Sequence, residues 1–588
     1  MSDEHPPAAT PEDRPPTAEP PEATSSDQPH PRRPRSTDPH ELGFTPRRAV
    51  PWLAPFLLIS TGIRTLLAML FGAYLDKREL QNAFGDGVFR QVGPDGGLWL
   101  DYVADLGDGF DATYSVAYLL AQPEIEVDGH RLPRGRTLVM GGDQVYPSAG
   151  YGAYEDRCKG PYQAALPLAG PGGPTLFAVP GNHDWYDGLT AFLRLFVRSR
   201  DQYFGGWRTA QSRSYFAVEL PAGWWLFGLD DQSGSYLDDP QLSYFEKAAA
   251  RLGPGARVIL AVPAPTWVRA VDSPTAYDSV DYFVRTIVAP TGATVRLIVT
   301  GDLHHYARYA NPGRQLVTCG GGGAYLYPTH KLPARIEVPP RDTLARRASH
   351  SEPYELAGRY PTAARSRRYA WGIFPRLPLR NPGFCTLLGT LHTLLMLAMA
   401  GVATSQVDVA AQRLFSVPLI AMLLVTLLGA GFFAKPPSAD GRRHARHWIL
   451  GLSHGLAHVG LAAAGTWAWL RLPLHDWPWP MPVVAAAVLY GPLIGLLASQ
   501  LTAGYLVVAG SLGVNVNELF AGQGIEDAKS FLRLRIDPDG TLTIYPVAVP
   551  KVSRRWRVNP DRSPTASWLV PERPLTPRLA EPPVVLRP

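Results

Sequence analysis

Apolar residues along this chain fall into two kinds of run, short and long. Trp99 to Ala104, Thr137 to Met140, Leu176 to Val179, Val258 to Val262 and Val295 to Thr300 are short and rich in Val, Ile and Leu. Without polar alternation, such runs predict strands buried on both faces. Phe531 to Ile536 and Thr541 to Val547 flank Asp537-Pro538-Asp539-Gly540, which predicts a β-hairpin. The long runs come later, at 384–403, 415–434, 448–470 and 482–511. A bilayer span needs ~20 largely apolar residues, and a buried helix of a soluble domain keeps a polar stripe that these runs lack. Four transmembrane helices are therefore expected.

Residues 51–75 are apolar too, but Arg64 stands in mid-stretch and Pro51 and Pro55 interrupt the start. A charge at the bilayer centre costs ~2.5–3.5 kcal/mol. The expectation is an amphipathic helix lying on the membrane or packed on the soluble domain. Arg365, Arg367, Arg368, Arg376 and Arg380 precede the first span, and Lys435, Arg442, Arg443 and Arg446 join the second to the third. The opposite loops hold only Arg413 and Arg471. Positive loops stay cytoplasmic, so the soluble parts are expected to face the cytoplasm of a multi-pass cell-membrane protein.

Charge and cysteine usage agree with that. The net charge of +5 comes mainly from Arg beside the apolar segments, with no basic stripe interleaved with aromatics, so no nucleic-acid partner is expected. Cys158, Cys319 and Cys385 match no zinc or disulfide spacing and fit a reducing compartment. The start lacks a basic-then-apolar segment, so no secretory signal is expected. Residues 1–45 and 571–588 are rich in Pro and poor in large apolar side chains, the composition of disordered tails.

The short runs end in chemistry: Asp105-Leu106-Gly107-Asp108, Gly142-Asp143-Gln144-Val145-Tyr146, Gly181-Asn182-His183-Asp184, Val262-Pro263-Ala264-Pro265 and Gly301-Asp302-Leu303-His304-His305. Ligands of open sheets collect at strand carboxyl ends, so these groups are expected on one rim. A single strand-end carboxylate is usually a cap or turn former; the ordered set argues for a binuclear metal centre. Asp105, directly after its strand, is favoured over Asp108 and Asp111.

These motifs, over roughly residues 95 to 330, resemble the calcineurin-like metallophosphoesterase superfamily, closest to its purple acid phosphatase variant. The resemblance implies an α/β fold, a four-layer α/β/β/α sandwich, beside an all-α region of four transmembrane helices. By position it implies Asp105, Asp143, Tyr146 and His304 on a first metal, with Asp143 bridging to a second that Asn182 also binds. His183 would face the phosphate, with Asp184 orienting its ring. Tyr146 is left open between ligation and packing, since its phenol must ionise from a pKa near ~10. Two family histidines are replaced, one by Pro265 and one by Asp302. Asp302 can ligate, Pro265 cannot, and His305 and His330 are the candidates to complete the second metal or to contact substrate. Carboxylate, amide and imidazole suit two ions of Mn, Fe, Zn or Mg.

The expected activity is metal-dependent hydrolysis of a phosphomonoester, phosphodiester or pyrophosphate. Tethering at the bilayer favours a membrane-derived phosphoester, with cytosolic nucleotides left open. The alternative is a degenerate sensor or scaffold of the same fold; a transporter is disfavoured, because no broken, repeated helices are evident. The expected domains are a tail (1–45), a membrane-proximal lead-in (46–90), the phosphoesterase domain (91–345), a basic juxtamembrane linker (346–382), the transmembrane domain (383–512), a hairpin region packing on the phosphoesterase domain (513–570) and a tail (571–588). Inside the membrane, His454 and His458 share a helix face and, with His392, read either as ligands or as interhelical hydrogen-bond partners.

Overall fold

The computed structural model describes residues 32–75, 81, 87–169, 173–197, 202–231, 237–340, 349–404, 409–434 and 445–588. Among them the fold is mixed α/β, carried by two nine-stranded sheets and four long apolar helices. One sheet runs Phe89–Arg90, Phe216–Glu219, Trp224–Gly228, Arg257–Ala261, Thr294–Thr300, Gln315–Cys319, Tyr306–Ala310, Glu352–Tyr360, Arg335–Val338. The other runs Arg578–Leu579, Leu542–Val549, Lys529–Ile536, Leu98–Val103, Thr137–Met140, Thr175–Ala178, Trp207–Thr209, Gln202–Phe204, with Val584–Leu586 also paired to Leu542–Val549. The central strands pair in parallel. Thr137–Met140, Thr175–Ala178 and Trp224–Gly228 are buried along their whole length, because both faces are covered.

One apolar cluster joins Leu100, Val139 and Phe177 of the second sheet to Leu226, Ile259 and Leu297 of the first. Two others join the remaining faces to helices, through Tyr114 and Phe192 on one side and Phe245 and Phe283 on the other. The first cluster also takes in Ile373, Leu377, Leu506, Leu519 and Phe520, so the sheets and the base of the helical region share a core.

The C-terminal hairpin enters the second sheet. Lys529–Ile536 pairs antiparallel with Leu98–Val103, from Leu532 opposite Tyr102 to Ile536 opposite Leu98. Arg533, fully buried, reaches Asp101 through Nε at 2.7 Å and Nη2 at 3.1 Å, and donates from Nη1 to Leu132 O at 2.8 Å. The satisfied fork is what makes a charge tolerable there.

The helices Pro382–Thr404, Ser416–Phe433, Ala445–Leu470 and Met481–Ser511 are long and apolar enough to cross a membrane. The first and last approach closely, for a Cβ on Gly389 would lie 2.5 Å from Gly491 O. His392 Nε2 lies 2.9 Å from His458 Nδ1, and His458 Nε2 3.0 Å from His454 Nε2. The three imidazoles form a hydrogen-bonded chain between helices; they do not converge on a point.

Three expectations need correction. Residues 571–588 were expected as a disordered tail, but Arg578–Leu579 and Val584–Leu586 extend the sheet, Leu586 is buried, and Glu581 pairs with Arg308 at 2.7 Å. Backbone pairing to an open strand edge orders this Pro-rich segment. Within the expected tail 1–45, residues 1–31 lie outside the described residues, while Leu42 and Phe44 are buried beside a short helix, Pro39–Leu42. Residues 346–382 were expected as a linker, but Glu352–Tyr360 is a sheet strand and Ala363–Ala370 and Ile373–Arg380 are helices. Those helices bury Ala370, Ile373 and Leu377, an apolar stripe hidden in sequence by the surrounding arginines. Residues 55–75 do form a helix, Pro55–Leu75.

Candidate functional site

Asp105 follows the Leu98–Val103 strand, Asp143 the Thr137–Met140 strand and Asp302 the Thr294–Thr300 strand. All three adopt left-handed backbone, with φ of 58°, 51° and 65°. That conformation costs an L residue ~1 kcal/mol, least for Asp and Asn. Backbone strain at three strand ends is typical of functional sites. Here it brings strand ends of both sheets together: Asp302 N–H donates to Asp105 Oδ1 at 3.1 Å.

The Tyr146 hydroxyl stands at the centre. It lies 2.8 Å from Asp105 Oδ1, 3.2 Å from Asp143 Oδ2 and 3.1 Å from His304 Nε2. His304 Nδ1 is 2.8 Å from Tyr325 O, a carbonyl that can only accept, so Nδ1 carries the proton and Nε2 offers a lone pair to the cluster. Two carboxylate oxygens and one imidazole lone pair thus face a hydroxyl with a single proton. In addition, Asp105 Oδ2 is buried without a hydrogen-bond partner. The site has a surplus of lone pairs and a deficit of positive charge.

Burial first, and then the charges of Asp143 and Asp302, push the Asp105 carboxyl well above its ordinary range. Burial also raises Asp143, and it raises Tyr146 well above 10, reinforced by Asp105 and Asp143. His304 is driven well below the usual imidazole range by burial and then by the charge of Lys529. A cation is the species that would relieve all of these at once. Among the described residues no three His, Cys, Asp or Glu side chains frame a ready-made cage; they gather on the Tyr146 hydroxyl. The donor chemistry and the orphaned Asp105 Oδ2 nevertheless fit a hard or borderline cation.

Glycines let the carboxylates in. A Cβ on Gly320 would lie 2.2 Å from Asp105 Oδ2, and one on Gly181 2.1 Å from Asp143 Oδ1. Asn182 and His183 follow Gly181, and His183 N–H donates to Asp143 Oδ1 at 2.9 Å. The Asn182 side-chain nitrogen donates to Tyr186 Oη at 3.3 Å.

The sequence assigned Asp184 to orient the His183 ring, and that role falls elsewhere. His183 Nδ1 lies 2.8 Å from Pro147 O, whereas Asp184 is buried and accepts from Gly181 N at 2.8 Å and from the Tyr154 hydroxyl. The GNHD turn folds its last carboxylate inward to tie down its own backbone. Asp302 is committed in part to Arg269, whose Nη2 stands 2.6 Å from Oδ1. His305 is buried, its ring 6.1 Å from that of Tyr327, and burial lowers its pKa to about 4. His330 lies away from the cluster, with Nδ1 2.8 Å from Ser366 Oγ and its ring 6.2 Å from Phe520. The sequence expected both near substrate or metal; the turn at Thr329, whose N–H donates to Ser366 Oγ at 3.0 Å, carries His330 off.

Trp52 and Lys529 were not anticipated as neighbours of the site. Trp52 sits edge-on to Tyr146, His183 and Tyr325, with ring centroids 5.7, 5.9 and 5.4 Å away. Asp108 holds that wall: it accepts from Val50 N at 2.7 Å, Trp52 Nε1 at 3.3 Å and Tyr325 N at 3.1 Å. Asp111 accepts from Trp556 Nε1 at 3.0 Å, and Asp230 from Trp185 Nε1 at 3.1 Å. Lys529, fully buried, donates to Ala324 O, and burial lowers its pKa to about 8.

No protein-family model and no curated protein matches the chain. Solved structures do match. GAP50, described as the anchor in the inner membrane complex of Plasmodium, is 13% identical over 39% of this chain and 74% of its own, with a TM-score of 0.30. PhoD is 11% identical over 40% of this chain and 58% of its own, with a TM-score of 0.27, so this chain spans less than two thirds of it. At such scores neither carries weight for the chemistry, which rests on the residues described above.

Proposed function

We propose that this chain is a metal-dependent phosphoric ester hydrolase, anchored in the cell membrane by its four apolar helices and facing the cytoplasm. The layers then read α/β/β/α, and the substrate is a phosphomonoester, phosphodiester or pyrophosphate. One observation carries this reading: Asp105 Oδ1, Asp143 Oδ2 and the His304 Nε2 lone pair meet at Tyr146, with Asp105 Oδ2 unpartnered beside them. Asp105, Asp143, Tyr146 and His304 would hold one ion of Mn, Fe, Zn or Mg, and Asp143, Asn182 and Asp302 a second. Such ions neutralise phosphoryl oxygens and supply a water of lowered pKa.

The chain's own residues do the rest. His183, fixed through Nδ1 by Pro147 O, presents Nε2; protonated, it donates there to the departing oxygen. Arg269 brings a guanidinium to Asp302, beside the position where Pro265 offers no imidazole. Its forked donors suit phosphoryl oxygens. Trp52 and the apolar wall behind it exclude water from the Tyr146 side, which strengthens each charge interaction.

A second reading has an observation of its own. With Pro265 in place of a ligand and Asp302 paired to Arg269, the second ion is weakly provided for, and a sensor or scaffold of the same fold needs no turnover. Full-length protein purified in detergent decides between them by elemental analysis and by a phosphoester panel with Mn added. Hydrolysis that Asp143→Ala abolishes without unfolding the protein supports the enzyme. No bound metal and no turnover on any ester leaves the sensor.

A further inference from the structure

The Pro55–Leu75 helix has two unlike faces beside the site. Leu57 packs with Val50, Tyr146 and Ala324, Thr65 shares a hydrogen bond with Tyr186, and Arg64 Nη1 reaches Ser148 Oγ at 2.9 Å. Between this inner face and Trp52 lies a groove of about 360 Å³, lined by Leu57, Leu58, Thr61, Thr65 and Leu66. The groove ends at Trp52, whose ring also contacts His183 and Tyr146. The other face shows Phe56, Ile59 and Ile63 to solvent, 84%, 63% and 53% exposed. Their spacing is that of one helical stripe.

One feature says what covers that stripe. The helix starts against the first span: a Cβ on Gly383 would lie 3.5 Å from Pro55 Cδ. Its apolar face therefore continues from the surface of the membrane helices.

We propose that the outer face of Pro55–Leu75 lies in the bilayer surface and that the substrate is an amphiphile, a phosphoester with a long apolar tail. The tail occupies the groove along Leu57, Thr61 and Leu66, and the phosphate reaches past Trp52 to His183. This rests on the hydrolase reading and adds the class of substrate to it. Soluble phosphoesters lack the tail and gain nothing from the groove, so the two classes separate by chain length alone.

The test uses the full chain in nanodiscs of mixed neutral and anionic lipid. p-Nitrophenyl phosphate and bis(p-nitrophenyl) phosphate are compared with phosphatidic acid and phosphatidylglycerol presented in the disc. The lipid esters are expected to be turned over at least ~10-fold more efficiently. Ile59→Glu and Ile63→Glu, which touch neither groove nor cluster, are expected to lower lipid turnover ~10-fold and leave the soluble esters within ~2-fold. Equal use of short and long esters, or parallel losses on both, overturns the proposal while hydrolysis stands. No turnover of any ester overturns the hydrolase reading and this with it. Independently of activity, a nitroxide at Ile63→Cys in a Cys385→Ser background should be quenched more by oxygen than by a water-soluble nickel complex. The reverse order places the helix in water and overturns the proposal.

Discussion

Gly320→Ala tests the site at its tightest point. The added Cβ would stand 2.2 Å from Asp105 Oδ2 and 2.7 Å from Leu303 O. Ordinary carbon–oxygen contact begins near ~3.3 Å, so the carboxylate must retreat by ~1 Å. Its other oxygen is not free to follow, since Oδ1 is held by the Tyr146 hydroxyl and Asp302 N–H. A misplacement of ~1 Å at a reacting centre can lower rate ~100-fold, while overpacking costs about 1–3 kcal/mol of stability. Phosphoester turnover, bound metal and thermal unfolding of the detergent-purified protein should be measured together. Gly253→Ala is the control, since nothing lies within 4 Å of a Cβ there. The expected outcome is a folded protein with turnover reduced ~100-fold and less bound metal. Turnover within ~3-fold of wild type would refute the claim that Asp105 must sit where the glycines let it.

Other outcomes follow from single contacts. Arg269→Gln removes the 2.6 Å pair with Asp302; turnover should fall ~10²–10³-fold, with partial return in Arg269→Lys, and elemental analysis should find more metal as Asp302 is freed. Unchanged kinetics and metal content would dismiss the role given to the guanidinium. Arg533→Met strands the buried Asp101 and should lower stability by about 3–5 kcal/mol; adding Asp101→Leu should restore part of it, and thermal unfolding that shows no restoration would mean the pair is not the cause. Lys529 titrates near pH 8 in the fold against an ordinary 10.5. Below pH 8 it is charged folded and unfolded, and the burial penalty is felt in full. Between about 8 and 10.5 only the unfolded chain keeps the proton, so stability rises with pH by up to ~1.4 kcal/mol per unit. Lys529→Met should flatten that rise in unfolding curves from pH 7.5 to 10, and identical curves would count against it.

What the sequence made legible was local. Strand ends are read from apolar runs, and residues within three positions of a run's end are placed by the strand before them; Asp105, Asp143 and Asp302 are of this kind. Apolar helices are read from length. What it hid were partners far along the chain. Arg533 meets Asp101 across 432 positions, and no local pattern in either segment announces the other. The tail 571–588 is ordered by an edge that only the assembled sheet presents. Asp184 was misread because a motif gives a residue's neighbours without the direction of its side chain. Arg269 carried a faint signal: it stands four residues after Pro265, one helical turn beyond the place where the resemblance lacks a ligand.

Asp108 shows how the two halves of this molecule are joined. It competed with Asp105 as a strand-end ligand, and it is buried near the same rim. Its oxygens are instead taken by Val50 N, Trp52 Nε1 and Tyr325 N. Val50 and Trp52 lead into the Pro55–Leu75 helix, and Tyr325 accepts from His304 Nδ1 through its carbonyl and meets Asn517 through its hydroxyl at 2.7 Å. Asn517 belongs to the Val516–Ala521 helix that follows the last span. One carboxylate thus fixes the wall of the cluster, the orientation of an imidazole and the start of the apolar proximal helix. Burial raises the pKa of Asp108, and the three donors with the charge of Arg157 make its place in the core tolerable. A buried carboxylate beside the cluster can therefore decide how the cluster sits against the Pro55–Leu75 helix.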